Sequence, residues 1–153
     1  MHRTPLALTA LTAVAATLIS LPAAAQFQKP EDAIKYRKAA FTVMASHFGR
    51  LGPMAQGKVP FDAKVAADNI AIATTLSTLP FAGFVPDSDK GDTKAKPEVW
   101  SDSAKFNGAA KKMQDAMAAL NVAAKSGNAD QFKAAFGETG KSCKGCHDDF
   151  RKE

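Results

Sequence analysis

The chain has 153 residues, a length that suits one domain built around a single core. Its 20 Lys and Arg outnumber its 15 Asp and Glu and give a net charge of +5 at pH 7, but the basic residues are dispersed along the chain. Because the sequence has no run of five or more Lys or Arg with aromatic residues interleaved, it gives no support to nucleic-acid binding.

The N-terminus has the three parts of a secretory signal peptide. His2 and Arg3 precede an apolar stretch at residues 6–21, and three small residues at 23–25 follow it. This order predicts export and cleavage after Ala25, which leaves a mature domain of residues 26–153 with no membrane anchor. An uncleaved anchor is the alternative, but the apolar run is shorter than the about 20 residues that span a bilayer.

Two amphipathic helices are predicted in the first half of the mature domain. The first begins at Pro30 and ends near residues 49–52. Asp62 caps the second, which ends at Pro80. Heptad spacing predicts one buried stripe on each helix: Ile34, Phe41, Met44, Phe48 and Leu51 on the first, and Val65, Ile72, Leu76 and Leu79 on the second.

Two further helices are predicted after a long surface loop at residues 80–97, which contains three prolines. The third helix begins near Ser101 or Asp102 and ends at residues 126–127. The fourth begins around residues 128–130 and continues to the C-terminus. No segment shows the period-two alternation of a strand. The sequence therefore predicts an all-α fold, an antiparallel up-down-up-down four-helix bundle.

The two cysteines of the chain lie in the fourth predicted helix, in the sequence Cys143-Lys144-Gly145-Cys146-His147. This is C-x-x-C-H, the attachment pattern of haem c. On a helix the reactive residues stand at i, i+3 and i+4, so that both sulfurs and the imidazole leave from one face. We therefore expect one haem c, bound covalently through Cys143 and Cys146, with His147 as the axial ligand of its iron.

Zinc binding and thiol redox chemistry are the alternatives for this cysteine pair. A zinc site needs further ligands, and beyond the motif the mature chain offers only His47 as a typical soft ligand. A redox disulfide is expected between a strand and a helix, whereas this motif lies late in a helix. An unused pair in an exported protein would tend to oxidise, which also favours an attached cofactor.

The first helix carries a charged residue, Arg37, on its apolar stripe. It stands three residues after Ile34 and four before Phe41, where a charge needs a partner or a route to solvent. One reading has the aliphatic part of the side chain reaching solvent at the end of the bundle. The other has the guanidinium binding a haem propionate.

Phe41 and Met44 are the candidates for the other face of the iron. A phenyl ring cannot ligate, so Phe41 would keep the sixth position empty. The Met44 thioether could ligate the iron and raise its reduction potential, as in electron carriers. An iron with an empty sixth position and an iron ligated by methionine predict proteins with different functions.

These features resemble the bacterial class II c-type cytochromes, specifically the cytochrome c prime family. The resemblance covers the mature domain through residues 26–37, the turn at 47–53, residues 96–102 and the terminal stretch 140–151. A haem motif near the C-terminus distinguishes this family from class I cytochromes, which carry theirs near the N-terminus. The family is a four-helix bundle.

The resemblance also implies roles for single residues. Cys143 and Cys146 would form the thioethers, His147 would be the proximal ligand, Arg37 would approach a propionate, and Arg151 would border the proximal pocket. For Arg151 the alternative is a cation that complements the C-terminal end of the helix.

The function implied by the resemblance is gas binding. Members are typically periplasmic homodimers, with contacts through the first two helices, and their five-coordinate high-spin iron binds nitric oxide and carbon monoxide but discriminates against oxygen. Phe41 corresponds to the distal position, where many members have Leu or Met. The expected role is trapping or buffering of nitric oxide, with electron transfer to a redox partner protein as a further activity.

The alternative is a low-spin electron carrier with Met44 as sixth ligand. Lys141, Lys144 and Lys152 would then form its docking surface. A haem enzyme finds little support in the sequence, because no distal His, Arg or carboxylate is evident for acid-base chemistry.

Overall fold

The computed structural model describes residues 26–153, and the predicted signal peptide at residues 1–25 lies outside them. Its elements in chain order are α1 (Pro30–Gly49), α2 (Gly52–Ala55), α3 (Ala63–Leu76), a 3-10 turn (Leu79–Gly83), α4 (Glu98–Ser101), α5 (Ser103–Lys125) and α6 (Ala129–Phe150). The four long helices pack in sequence, α1 against α3, α3 against α5, and α5 against α6. This is the predicted antiparallel four-helix bundle. Within the described residues no helix is long and apolar enough to cross a bilayer.

Side-chain caps fix the start of three of the long helices. In each case the capping oxygen accepts a hydrogen bond from the amide three residues on, at 2.9 to 3.2 Å: Asp62 for α3, Asp102 for α5 and Asn128 for α6. Each cap satisfies an amide that the helix itself leaves unpaired. The starts agree with the sequence prediction, including Pro30 in the first turn of α1.

The main core fills the space between the long helices. Its buried members are Met44, Leu51, Ala55, Ala66, Ile70, Ala73, Met113, Met117, Leu120, Ala124 and Phe132. Each large apolar side chain buried there contributes about 1.5–3 kcal/mol. Near the C-terminal end of α1, Phe48 stacks on Phe136 of α6, with the ring centroids 4.5 Å apart.

The predicted inward stripe of the second helix is wrong for three of its four residues, and only Leu76 packs, partly buried, against the main core. Val65, Ile72 and Leu79 are 46%, 43% and 40% exposed, and α3 ends at Leu76, before Leu79 is reached. The residues that α3 buries are Ala66, Ile70 and Ala73. Small residues let the helix approach both α1 and α5 closely, and Val65 and Ile72 of the heptad repeat lie on its outer face.

Residues 80–97 form a partly buried segment, whereas the sequence predicts a surface loop. Pro80, Gly83 and Ser88 are buried. The far end of the segment pairs with the C-terminus, because the Lys96 amide donates to the Phe150 carbonyl at 2.9 Å and the Lys152 amide donates to the Lys94 carbonyl at 2.7 Å. The segment therefore packs against α1 through its 3-10 turn and against the end of α6 through residues 94–96, and it links the two helices.

A second, smaller core lies under this loop. Val99, Phe106 and Phe150 are its buried members. Phe81, Phe84, Ala95, Trp100, Ala109 and Cys146 pack against them. Cys146 thus places the C-x-x-C-H motif at the edge of an aromatic cluster.

Candidate functional site

The C-x-x-C-H motif occupies the last two turns of α6, as predicted. Cys143 is half-buried and packs against the main core, and Cys146 is half-buried and packs against the second core. His147 is exposed. The helix therefore carries the two sulfurs and the imidazole along one side, from the bundle interior towards its end.

A cavity of about 530 Å³ lies beside this side of α6, with α1 as its other wall. Such a volume is in the range of about 300–1,000 Å³ that is usual for ligand and cofactor sites. The cavity gathers all but one of the predicted site residues: Arg37 and Phe41 from α1, Cys146 and His147 from α6, and Arg151 from the chain end. Cys143, the exception, stands one turn before Cys146.

Arg37 is buried, with 3% of its surface exposed. Its two terminal nitrogens donate four hydrogen bonds: Nη1 to the Gly83 carbonyl and to Ser88 Oγ, each at 2.7 Å, and Nη2 to the Ser88 carbonyl at 2.8 Å and to Thr93 Oγ1 at 2.6 Å. Burial lowers the pKa of the guanidinium, and these oxygen acceptors replace the water that it loses.

These contacts exclude one of the two readings of Arg37. The aliphatic route to solvent is wrong, because the whole side chain is enclosed. The four N–H groups of the terminal nitrogens are already committed to residues 83–93, so that Nε–H is the donor left for a propionate. Propionate binding stays a prediction, and the contacts present in the structure make Arg37 the residue that anchors the loop to α1.

Phe41 and Met44 lie in different environments. Phe41 is half-buried and lines the cavity. Met44 is 6% exposed and belongs to the main core. Of these two candidates, only Phe41 lines the cavity that His147 also lines.

Sequence reasoning missed the aromatic residues that complete the cavity. Phe84 from the loop, Phe106 from α5 and Phe150 from α6 all line it. The available signal was the pair Phe81 and Phe84, two large apolar residues inside a segment rich in Pro, Gly and Asp. Large apolar residues are not expected in a solvated loop, but they are expected in a loop that covers a site.

The electrostatics of the motif suit a covalent cofactor better than disulfide chemistry. Burial raises the pKa of both the Cys143 and the Cys146 thiols, and for Cys146 the nearby Cys143 and Asp149 act in the same direction. Redox-active C-x-x-C cysteines have the opposite property, a lowered pKa. Partial desolvation, helped by Arg151, lowers the pKa of His147, which favours the neutral imidazole that can bind a metal.

Arg151 stands at the C-terminal end of α6 and beside the cavity, and its role stays a prediction. Its amide donates to the His147 carbonyl at 3.0 Å and so closes α6, while the residue lines the cavity beside His147.

The residues present fit a haem. The motif offers two thioether-forming sulfurs and an imidazole on one side of a helix, the cavity has aromatic walls, and the cations Arg37, Lys38, Lys94 and Arg151 line it where carboxylates would need partners. Among residues 26–153, no group of three or more His, Cys, Asp or Glu side chains is arranged to hold a metal ion by itself.

Comparison with known proteins gives one consistent result. The family model described as "Cytochrome C'" matches residues 32–151. Cytochrome c' from Rubrivivax gelatinosus is 60% identical over 129 residues, which are 84% of this chain and 100% of that protein. Cytochrome c' from Alcaligenes xylosoxydans xylosoxydans is 49% identical over 128 residues, 84% of this chain and 99% of that protein.

Solved structures agree with these matches. The crystal structure of cytochrome c' from Rubrivivax gelatinosus superposes with a TM-score of 0.80 at 60% identity and covers 83% of this chain and 100% of its own. The nitric oxide complex of a variant of cytochrome c prime from Alcaligenes xylosoxidans also has a TM-score of 0.80, at 48% identity, and covers 84% of this chain and 99% of its own. With the motif in place, the chain carries one covalent haem c through Cys143 and Cys146, and it belongs to the cytochrome c prime family, the family that its sequence resembles.

Proposed function

We propose that this protein is a periplasmic haem protein whose five-coordinate, high-spin iron binds nitric oxide and carbon monoxide, and that it traps or buffers nitric oxide. One observation carries the proposal: Phe41, which cannot ligate, lines the same cavity as His147, while Met44 lies in the main core. The nitric oxide complex of the Alcaligenes xylosoxidans relative supports it.

The haem supplies an iron that binds diatomic gases, and the protein's residues control access to it. His147 would bind the iron from α6, and its lowered pKa keeps the imidazole in the neutral form that ligation needs. From α1, Phe41 with its neighbours Phe81 and Phe84 forms an apolar wall. This wall offers bound oxygen no hydrogen bond, and the Phe41 ring must move before any gas enters. Nitric oxide, the strongest ligand of the three, best offsets that steric cost.

The absorption spectrum of the ferrous protein, with and without nitric oxide, tests this proposal. We expect a high-spin spectrum that shifts when the gas is added. An unresponsive low-spin spectrum would refute the proposal and favour the electron carrier ligated by Met44.

The lysines expected to dock a redox partner give the electron-carrier reading little support. Lys141 pairs with Glu138 and Lys144 pairs with Asp148 along the same helix. Such pairs leave part of that surface electrically balanced, and exposed pairs of this kind are typical of a solvated helix face.

Replacing Phe41 with Ala should speed the association of carbon monoxide with the ferrous protein severalfold or more, because the ring no longer blocks the approach to the iron. Stopped-flow mixing measures this rate. Met44→Leu is the matched control: it conserves volume in the main core and should leave the rate unchanged. If Phe41→Ala leaves the rate unaltered, Phe41 does not cover the iron.

We further propose that the protein is a homodimer through α1 and α3. The outer face of α3 carries Val65 and Ile72, with Leu79 beyond its end, and α1 adds Val43; all four are 40% to 46% exposed. A row of apolar residues at heptad spacing on a helix surface suits packing against a second helix. A second copy of the same face would cover it.

An Ile72→Asp substitution should convert the dimer to a monomer, since it places a charge in the centre of the apolar row, where a dimer would bury it. Sedimentation velocity measures the change in mass. Val122→Asp is the control, because Val122 is 71% exposed but lies on α5. If both variants stay dimeric, the contact lies elsewhere.

Location in the periplasm follows from the predicted signal peptide. We expect the protein recovered from the periplasmic fraction to begin at Gln26, and N-terminal sequencing would show this. An intact Met1 in that fraction would contradict the predicted cleavage.

A further inference from the structure

Two other rings stand against Phe41 and limit its movement. The Phe84 ring lies edge-on at a centroid distance of 6.4 Å and an angle of 68°, and the Phe81 ring at 5.9 Å and 81°. Phe81 packs against both the main and the second core, whereas Phe84 itself faces the cavity. In a close-packed interior a ring held in this way can swing aside only if its neighbours yield.

Phe84 is fixed from its other sides as well. The guanidinium carbon of Arg37 lies 4.5 Å from the centre of its ring, a contact with both cation–π and packing character. Phe106 meets it edge-on at 4.8 Å. Trp100 lies 6.1 Å away and donates its indole N–H to the Val85 carbonyl, on the residue that follows Phe84.

The backbone beneath Phe84 is equally constrained. A β-carbon added at Gly83 would come within 2.7 Å of the Ala33 carbonyl and 2.9 Å of Arg37 Cβ, so that this turn lies directly against α1. The Gly83 carbonyl also accepts one of the Arg37 hydrogen bonds. Arg37 thus holds both the chain that carries Phe84 and the ring itself.

We propose that Phe84, fixed by Arg37, is a positioning residue for gas binding: it holds the Phe41 ring in its resting place and so sets how fast a gas molecule reaches the iron. The inference rests on the proposed function and deepens it. Phe41 is the barrier, and Phe84 determines how readily that barrier opens. The same Phe41 ring without its neighbour would admit carbon monoxide faster.

A double-mutant cycle on the ferrous holoprotein tests this, with the carbon monoxide association rate as the measurement. Phe84→Leu should raise the rate about threefold or more when Phe41 is present, and should change it by less than about 1.5-fold in the Phe41→Ala protein, where no ring remains to be held. A role in stability alone would not produce this dependence of one substitution on the other.

Three further measurements complete the test. Phe136→Leu makes the same change at a ring that stacks on Phe48 in the other part of the bundle, and it should leave the rate unchanged. A crystal structure of the ferric Phe84→Leu holoprotein should show the Phe41 ring displaced or in two conformers. Thr93→Val provides a milder variant that keeps every ring and removes one acceptor from Arg37; it should speed association to a smaller extent.

The outcomes separate the inference from the proposed function. If Phe41→Ala speeds association but Phe84→Leu does not, or if their effects simply multiply, the inference is overturned and the gas-binding proposal stands. If neither substitution changes the rate, the inference and the covering role of Phe41 are both overturned, while gas binding itself stands. If the parent protein binds no gas, the inference and the proposed function are both overturned. If Phe84→Leu fails to fold, an unchanged rate in Thr93→Val overturns the inference.

Discussion

Replacing Arg37 with Met should destabilise the holoprotein by about 3–5 kcal/mol, one of the largest effects expected of a single substitution in this chain. Methionine keeps much of the aliphatic volume but donates no hydrogen bond. The carbonyls of Gly83 and Ser88 would then lose their charged donor in a buried place. The midpoint of guanidinium chloride unfolding, followed by the haem absorbance and by circular dichroism, measures the loss.

Lys38→Met is the matched control for this prediction. Lys38 is the next residue on α1, and its ammonium pairs with Asp92 of the same loop, but both side chains are exposed. Exposed ion pairs contribute about 0–1 kcal/mol, so Lys38→Met should barely move the midpoint. Equal midpoints for Arg37→Met and Lys38→Met would mean that the buried hydrogen bonds do not hold the loop.

The architecture could be predicted because it depends on local signals. Asp62, Asp102 and Asn128 mark helix starts through hydrogen bonds that span only three residues. The haem motif is similarly local, since five consecutive residues place two sulfurs and an imidazole on one side of α6. Neither feature needs knowledge of distant parts of the chain.

The orientation of α3 was mispredicted for a physical reason. A heptad repeat shows that Val65 and Ile72 share a face, but it does not show which partner that face meets. In a helix that also carries many alanines, the small residues suit close packing within the bundle, and the larger repeat remains free for another surface. The exposure of Val65 and Ile72 shows that this is the case here.

The walls of the cavity were beyond sequence reasoning because they are made by long-range contacts. Arg37 bonds to residues 46 to 56 positions later in the chain, and the loop that contains them has no periodicity. A charged residue on an apolar stripe did signal a buried partner. The sequence suggested a propionate, and the structure adds the backbone of Gly83 and Ser88.

Without covalent haem the polypeptide should be markedly less helical. The Cys143→Ser/Cys146→Ser double variant, which cannot form thioethers, is expected to lose a large share of its far-ultraviolet circular dichroism once free haem has been extracted. The haem would occupy the cavity of about 530 Å³ between α1 and α6. Within α6, Gly137, Gly140 and Gly145 each cost about 1 kcal/mol relative to Ala. A helix with this composition depends on its tertiary contacts, and the haem supplies many of them.

Gly137→Ala in the haem-free protein tests the helix part of this explanation. Gly137 is exposed, and an added β-carbon there meets nothing within 4 Å, so the substitution should favour the helix by about 1 kcal/mol and restore part of the lost signal. The parent holoprotein, in which the haem already stabilises α6, should gain no helicity from the same change. Equal circular dichroism of the parent holoprotein and the haem-free double variant would show that the bundle folds without its cofactor. Folding of the bundle would then not depend on haem attachment, and the glycines of α6 would need another explanation.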